Sequence, residues 1–163
     1  MLLKRVVTAL ALSMVAVAAN AAGVMKGDPD AGAELVASCT ACHGTDGNSL
    51  APAFPKIAGL GERYLLKQMK DIRDGRRPVA LMVGQVDNMT DQQLADIAAF
   101  YDSQERTSGT ADPELVELGR KVYLAGITDR KVAACSGCHS PSGKGNGPGG
   151  FPGLSGQRAD YIE

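Results

Sequence analysis

The 163-residue sequence holds only two histidines, His43 and His139, has no basic excess, and contains a single long apolar run. With 17 Lys and Arg against 18 Asp and Glu, it lacks the basic stripe that nucleic-acid binding requires. Apolar residues at 44% and charged residues at 21% exclude a disordered chain or a collagen-like one. The apolar run, Val6 to Ala19, falls short of the roughly 20 residues a membrane-spanning helix needs. It follows Lys4 and Arg5 and ends at Ala19-Asn20-Ala21, a small-x-small cleavage site, so residues 1–21 read as a secretory signal peptide. The mature chain is expected to begin at Ala22 or Gly23, to be soluble and mildly acidic, and to reside in a Gram-negative periplasm. In that oxidising compartment four cysteines would ordinarily pair as two disulfides, but their arrangement argues otherwise.

The rest of the chain divides into helical stretches. Asp28 as N-cap and Pro29 in the first turn predict a helix to about Ser38. Leu65, Met69 and Ile72 mark a helical stripe from Glu62 to Asp74, closed by Gly75. Thr90 and Gln93 form a capping box, with Met89 and Leu94 placed as its hydrophobic staple, and Leu94, Ile97, Ala98 and Tyr101 continue a buried face. The polar stretch "QERTSGTADP" reads as a linker, after which Asp112-Pro113 repeats the helix start and a helix runs to about Ala125. "FPKIAGLGERYL" from Phe54 and "FPGLSGQRADYI" from Phe151 match at Phe-Pro, at an apolar residue, at Gly and at Tyr. This duplication, offset by about 97 residues, predicts two homologous domains: residues 22–104, a linker over 105–113, and residues 114–163.

Both histidines directly follow a Cys-x-x-Cys: Cys39-Thr40-Ala41-Cys42-His43 and Cys135-Ser136-Gly137-Cys138-His139. This is the attachment signature of c-type haem. Two thiols add to the two vinyl groups on one porphyrin edge, which brings the adjacent neutral imidazole beneath the iron. A zinc ribbon would set its cysteine pairs about 15 to 20 residues apart, and neither zinc nor a thioredoxin-like dithiol accounts for the histidines. A methionine opposite the histidine would close the site and raise the potential, while an empty position would admit small ligands. In the first domain, Met69 belongs to a core stripe, Met89 to a staple and Met25 to the mature terminus. Met82, in "RRPVALMVGQV", is therefore the favoured axial ligand, with Met89 as runner-up. Pro52 and Pro148, each nine residues beyond its histidine, are either carbonyl partners that orient the imidazole or simple turn prolines.

Through "CTACHGTDGNS", "FPKIAGLGERYLLKQMKDIRDG", Met82-Val83-Gly84, "TDQQLADIAAFY" and "CSGCHSPSGKGN", the chain from Gly32 onward resembles the cytochrome c4 family. The resemblance implies an all-α protein of two tandem class I cytochrome c domains. It implies a haem on Cys39 and Cys42 with His43 and Met82 as axial ligands, and a second haem on Cys135 and Cys138 with His139. It further implies a non-enzymatic electron carrier that takes electrons from a quinol-oxidising complex towards a terminal oxidase, loosely associated with the membrane face, with no small-molecule substrate. The repeat offset places a counterpart of Met82 near position 179, about sixteen residues past Glu163, and no Met follows His139. The second domain is accordingly expected to be truncated, lacking a distal Met and a closing helix and exposing one side of its haem. Two alternatives follow: an open-site haem protein acting as peroxidase or gas sensor, and an electron-accepting subunit of a periplasmic dehydrogenase.

Overall fold

A computed structural model describes residues 25–162; the signal-peptide reading lies outside the described residues. Asp28 accepts the N–H groups of Asp30 and Ala31 and caps α1, Pro29–Ala33, with Pro29 in its first turn. The helix is shorter than the run to Ser38 that the sequence predicts. After Glu34 the chain unwinds, and the Val36 carbonyl accepts both the Cys39 and the Thr40 N–H, which starts a new turn as α2, Thr40–His43. The break sends Val36 into the core and turns Cys39, Cys42 and His43 towards one cavity.

Helix α3, Glu62–Arg73, ends at Asp74 and Gly75 as predicted, and α4, Asp91–Ser103, begins with the predicted capping box. The Thr90 N–H donates to Gln93 Oε1 at 2.9 Å, and the Gln93 N–H donates to Thr90 Oγ1 at 3.2 Å. Val36, Leu60, Leu65, Ile97, Ala98 and Tyr101 form the buried core cluster, and Met69, Met89 and Phe100 pack against it. Helix α1 crosses α4 at backbone contact: a Cβ on Gly32 would lie 2.1 Å from the Asp96 carbonyl oxygen. The Asp28 N–H reinforces the crossing by donating to the buried Asp96 carboxylate at 2.9 Å.

Residues 105–112 are irregular and are strapped between the two halves of the chain. Arg106 donates to the carbonyls of Gly153 and Gly59, at 2.7 and 3.3 Å, and Thr107 binds Asn48 and Lys56. Helix α5, Val116–Ala125, starts later than Asp112-Pro113 predicts. Asp112 accepts the Glu114 and Leu115 N–H groups and closes a separate turn first. The short helices α6, Ser136–His139, and α7, Ala159–Ile162, follow. Leu115, Val116, Leu118 and Leu124 along α5 are exposed, and a Cβ on Gly119 would meet nothing within 4 Å. Among the described residues the only β-type pairings are isolated bridges, Ile127 with Val132 and Asn146 with Phe151.

Candidate haem sites

Cys39, Cys42, His43 and Met82, singled out from the sequence, line a single cavity of about 430 Å³. Its walls are mostly apolar, supplied by Ile57, Leu60, Leu65, Ile72, Val79, Val86 and Ile97. His43 is buried, and its Nδ1 lies 3.0 Å from the Pro55 carbonyl oxygen. The carbonyl can only accept, so Nδ1 carries the proton and Nε2 keeps a lone pair for a metal. Burial pushes the Cys39 thiol up, against weaker hydrogen bonds from Ser38 and Tyr101. The four cysteines are free of disulfides, and among the described residues no group of three or more His, Cys, Asp or Glu is arranged to hold a metal ion by itself. Adjacent thiols, an oriented imidazole and a thioether around one apolar cavity fit an iron porphyrin and fit neither zinc nor a structural disulfide.

The second attachment segment repeats the first closely. His139 Nδ1 lies 2.8 Å from the Pro152 carbonyl oxygen. Phe54 meets the His43 ring edge-on at 6.2 Å, and Phe151 meets His139 the same way at 5.9 Å. The Gly47 carbonyl accepts the Ile57 and Ala58 N–H groups, and the Gly143 carbonyl accepts those of Leu154 and Ser155. Pro52 and Pro148 are therefore not the imidazole partners. Pro52 is exposed, and the Pro148 carbonyl accepts a bond from Arg63 instead. Spacing from the histidine was the wrong signal. The partners are the prolines of the duplicated Phe-Pro pair, Pro55 and Pro152, and recurrence alone did not separate them from Pro52 and Pro148, which also recur in both halves.

Met82 sits at the end of a 3₁₀ turn, Ala80–Met82, with Leu81 and Val83 exposed on either side. Met69 also lines the cavity, whereas the runner-up Met89 is half-buried against the core cluster. Tyr64, Arg77 and Tyr161 complete the cavity wall and were not anticipated as site residues. Arg77 donates to the Tyr161 hydroxyl at 3.2 Å, and burial, then the Tyr161 hydroxyl, push the Tyr64 phenol up. Tyr161 is the repeat mate of Tyr64, so the second half of the chain closes the first half's cavity. The matched Tyr in the duplicated strings did not show this, because reaching across depends on how the two halves dock.

The cytochrome c family model matches residues 29–105. Cytochrome c4 of Azotobacter vinelandii is 53% identical over 145 residues, spanning 83% of this chain and 69% of the relative. The crystal structure of reduced recombinant cytochrome c4 from Pseudomonas stutzeri superposes with a TM-score of 0.80 at 51% identity, covering 83% of this chain and 76% of that one. A thiosulfate dehydrogenase electron acceptor of Thiomonas intermedia is 37% identical over 132 residues, spanning 78% of this chain and 60% of the relative. These likenesses carry the class I cytochrome c fold and the covalent c-type haems with them. The chain belongs to the cytochrome c4 family, the dihaem electron-transfer cytochromes.

Proposed function

We propose that the chain shuttles electrons in a periplasmic respiratory chain, from a quinol-oxidising complex towards a terminal oxidase, with no catalysis of its own. Cys39 and Cys42 would hold the first haem, with His43 and Met82 as ligands to its iron; Cys135 and Cys138 would hold the second, with His139 as its ligand. The haem supplies the one-electron couple, and the chain's part is to keep its surroundings unchanged between the two states. The carrying observation is that Cys39, Cys42, His43 and Met82, which span both sides of the Cys-x-x-Cys-His loop and the far 3₁₀ turn, face one apolar cavity. Apolar walls and a thioether ligand would favour the ferrous state and hold the potential up, and ligation by both His43 and Met82 would leave little rearrangement on electron transfer. Spectroelectrochemistry of the intact protein tests this. A low-spin first haem with reversible one-electron steps is expected; a high-spin first haem that binds carbon monoxide freely would overturn the assignment.

The likeness to a thiosulfate dehydrogenase electron acceptor favours a second reading, in which the donor is a sulfur-oxidising enzyme. Reduction rates with each donor class separate the two: quinol-dependent reduction supports the first reading, and reduction by a thiosulfate-oxidising enzyme supports the second.

A further inference from the structure

The loops that orient the two histidines are held by side chains from distant parts of the chain. Gln157, in the second half, grips Lys56 in both directions. Its Nε2 donates to the Lys56 carbonyl at 2.7 Å, and its Oε1 accepts the Lys56 N–H at 3.1 Å. Oε1 also accepts the Arg158 N–H at 3.0 Å, so the amide can face only one way. The Lys56 N–H belongs to the same peptide unit as the Pro55 carbonyl that accepts from His43 Nδ1 at 3.0 Å. One planar amide thus receives a hydrogen bond on its oxygen and gives one from its nitrogen. The two bonds favour the same charge-separated resonance form, so each strengthens the other.

We infer that Gln157 is a positioning residue for the first haem, accepting the Lys56 N–H so that the Pro55 carbonyl draws harder on the His43 Nδ1 proton. A more polarised Nδ1–H makes the imidazole a stronger donor at Nε2, which stabilises ferric iron and lowers the first haem's potential. The docked second half thereby sets a property of the first haem. This rests on the reading of His43 as its axial ligand.

Among the described residues the second site has no equivalent device. The repeat mate of Gln157 is Leu60, which is apolar, and the Pro152-Gly153 loop is held by Arg106 from the linker at the Gly153 carbonyl. A Cβ on Gly153 would lie 2.0 Å from the Arg106 guanidinium, so glycine at this position is what admits the brace. That bond falls on the next peptide along, not on the one that binds His139. The coupling therefore runs one way, from the second half to the first haem.

The test uses the intact dihaem protein carrying Gln157→Leu, with the potential of each haem measured alongside the Nδ1–H proton resonances of His43 and His139 in the reduced state. The first haem's potential should rise and the His43 resonance move upfield, while the second haem and His139 keep their wild-type values. Gln157→Glu, which keeps the acceptor and charges it, should move both first-haem readouts the other way. Unchanged first-haem readouts overturn the inference. Equal shifts at both haems overturn it too, because they report only a loosened junction. If His43 were not a ligand, His43→Ala would leave the first haem's low-spin spectrum intact, an outcome that removes the premise and is distinct from a Gln157→Leu protein with normal ligation and an unmoved potential.

Discussion

The first and second attachment segments share one local design but differ in what surrounds it. In each, a Cys-x-x-Cys-His turn delivers an imidazole to a Pro carbonyl, at 3.0 Å for His43 and 2.8 Å for His139, with a Phe ring packed edge-on. Around His43, α1 and α4 cross at backbone contact and a closed apolar core supports the cavity. Around His139, α5 exposes its apolar residues and the imidazole is half-buried. The comparison separates two requirements. Placing a proximal ligand needs only a short loop with the right punctuation, whereas enclosing the site needs helices far away in sequence.

The largest expected effect breaks the comparison at the distal ligand. Met82→Leu should turn the first haem high-spin and drop its potential while the second haem is unaffected, as read by optical spectra and a redox titration. Met69→Leu, a swap of similar volume at the same cavity, should keep the low-spin state at a cost below about 1.5 kcal/mol. If Met69→Leu, rather than Met82→Leu, abolishes the low-spin state, the ligands have been assigned the wrong way round.

The glycines offer a second test, of packing. A methyl at Gly32 would be forced onto the Asp96 carbonyl oxygen at 2.1 Å, whereas one at Gly119, inside α5, would meet nothing. Gly32→Ala should destabilise by about 3 kcal/mol, at the upper end of overpacking costs. Gly119→Ala should instead stabilise by up to about 1 kcal/mol through helix propensity. Thermal unfolding of the two variants measures both, and a destabilising Gly119→Ala would mean that α5 is covered after all.

Backbone strain makes a smaller difference. Gly44 follows His43 at φ 80° and ψ 160°, a region that essentially only glycine occupies, yet Ser140 takes the equivalent position after His139 at φ 67° and ψ 157°. Tyr123 donates to the Ser140 carbonyl at 2.6 Å, and the Lys144 N–H donates to Ser140 Oγ at 3.1 Å, which helps hold the strained residue. Ser140→Gly should raise stability by about 1 kcal/mol, and Gly44→Ser should lower it by at least as much. Denaturant midpoints of the pair decide whether the strain is real.

The smallest effect is electrostatic. Among the described residues the salt bridges all lie between Lys67 and Asp91, in the first half. Lys67, then Arg76, hold the Asp71 carboxyl below the usual range, and Lys70, then Arg73, do the same for Asp91. Such depressed carboxyls contribute stability that is complete above the unfolded value of roughly 3.9 and is lost as pH falls through the lower folded values. Asp91→Asn should therefore make acid unfolding of the first half slightly less steep below that pH, with little change at neutrality because exposed pairs contribute little.

Much of this was legible in the sequence because it is local. The Thr90-Gln93 capping box, the Gly75 stop and the two Cys-x-x-Cys-His turns depend on neighbours a few residues apart, and all appear in the structure. The early end of α1 was not legible, because it is set by where Cys39 and Val36 must face rather than by helix propensity. Spacing offered Pro52 and Pro148 as imidazole partners or as turn prolines, and could not point to Pro55 and Pro152 because it says nothing about which way a carbonyl points. The wall formed by Arg77 and Tyr161 depends on how the two halves dock, and no local pattern encodes that.

The central claim is that one local geometry is used twice, so that both segments carry a haem. Intact-mass analysis of the protein, combined with thiol alkylation, tests it most directly. The account predicts two covalent haem additions and no alkylated cysteine; a single addition with Cys135 and Cys138 alkylated would contradict it.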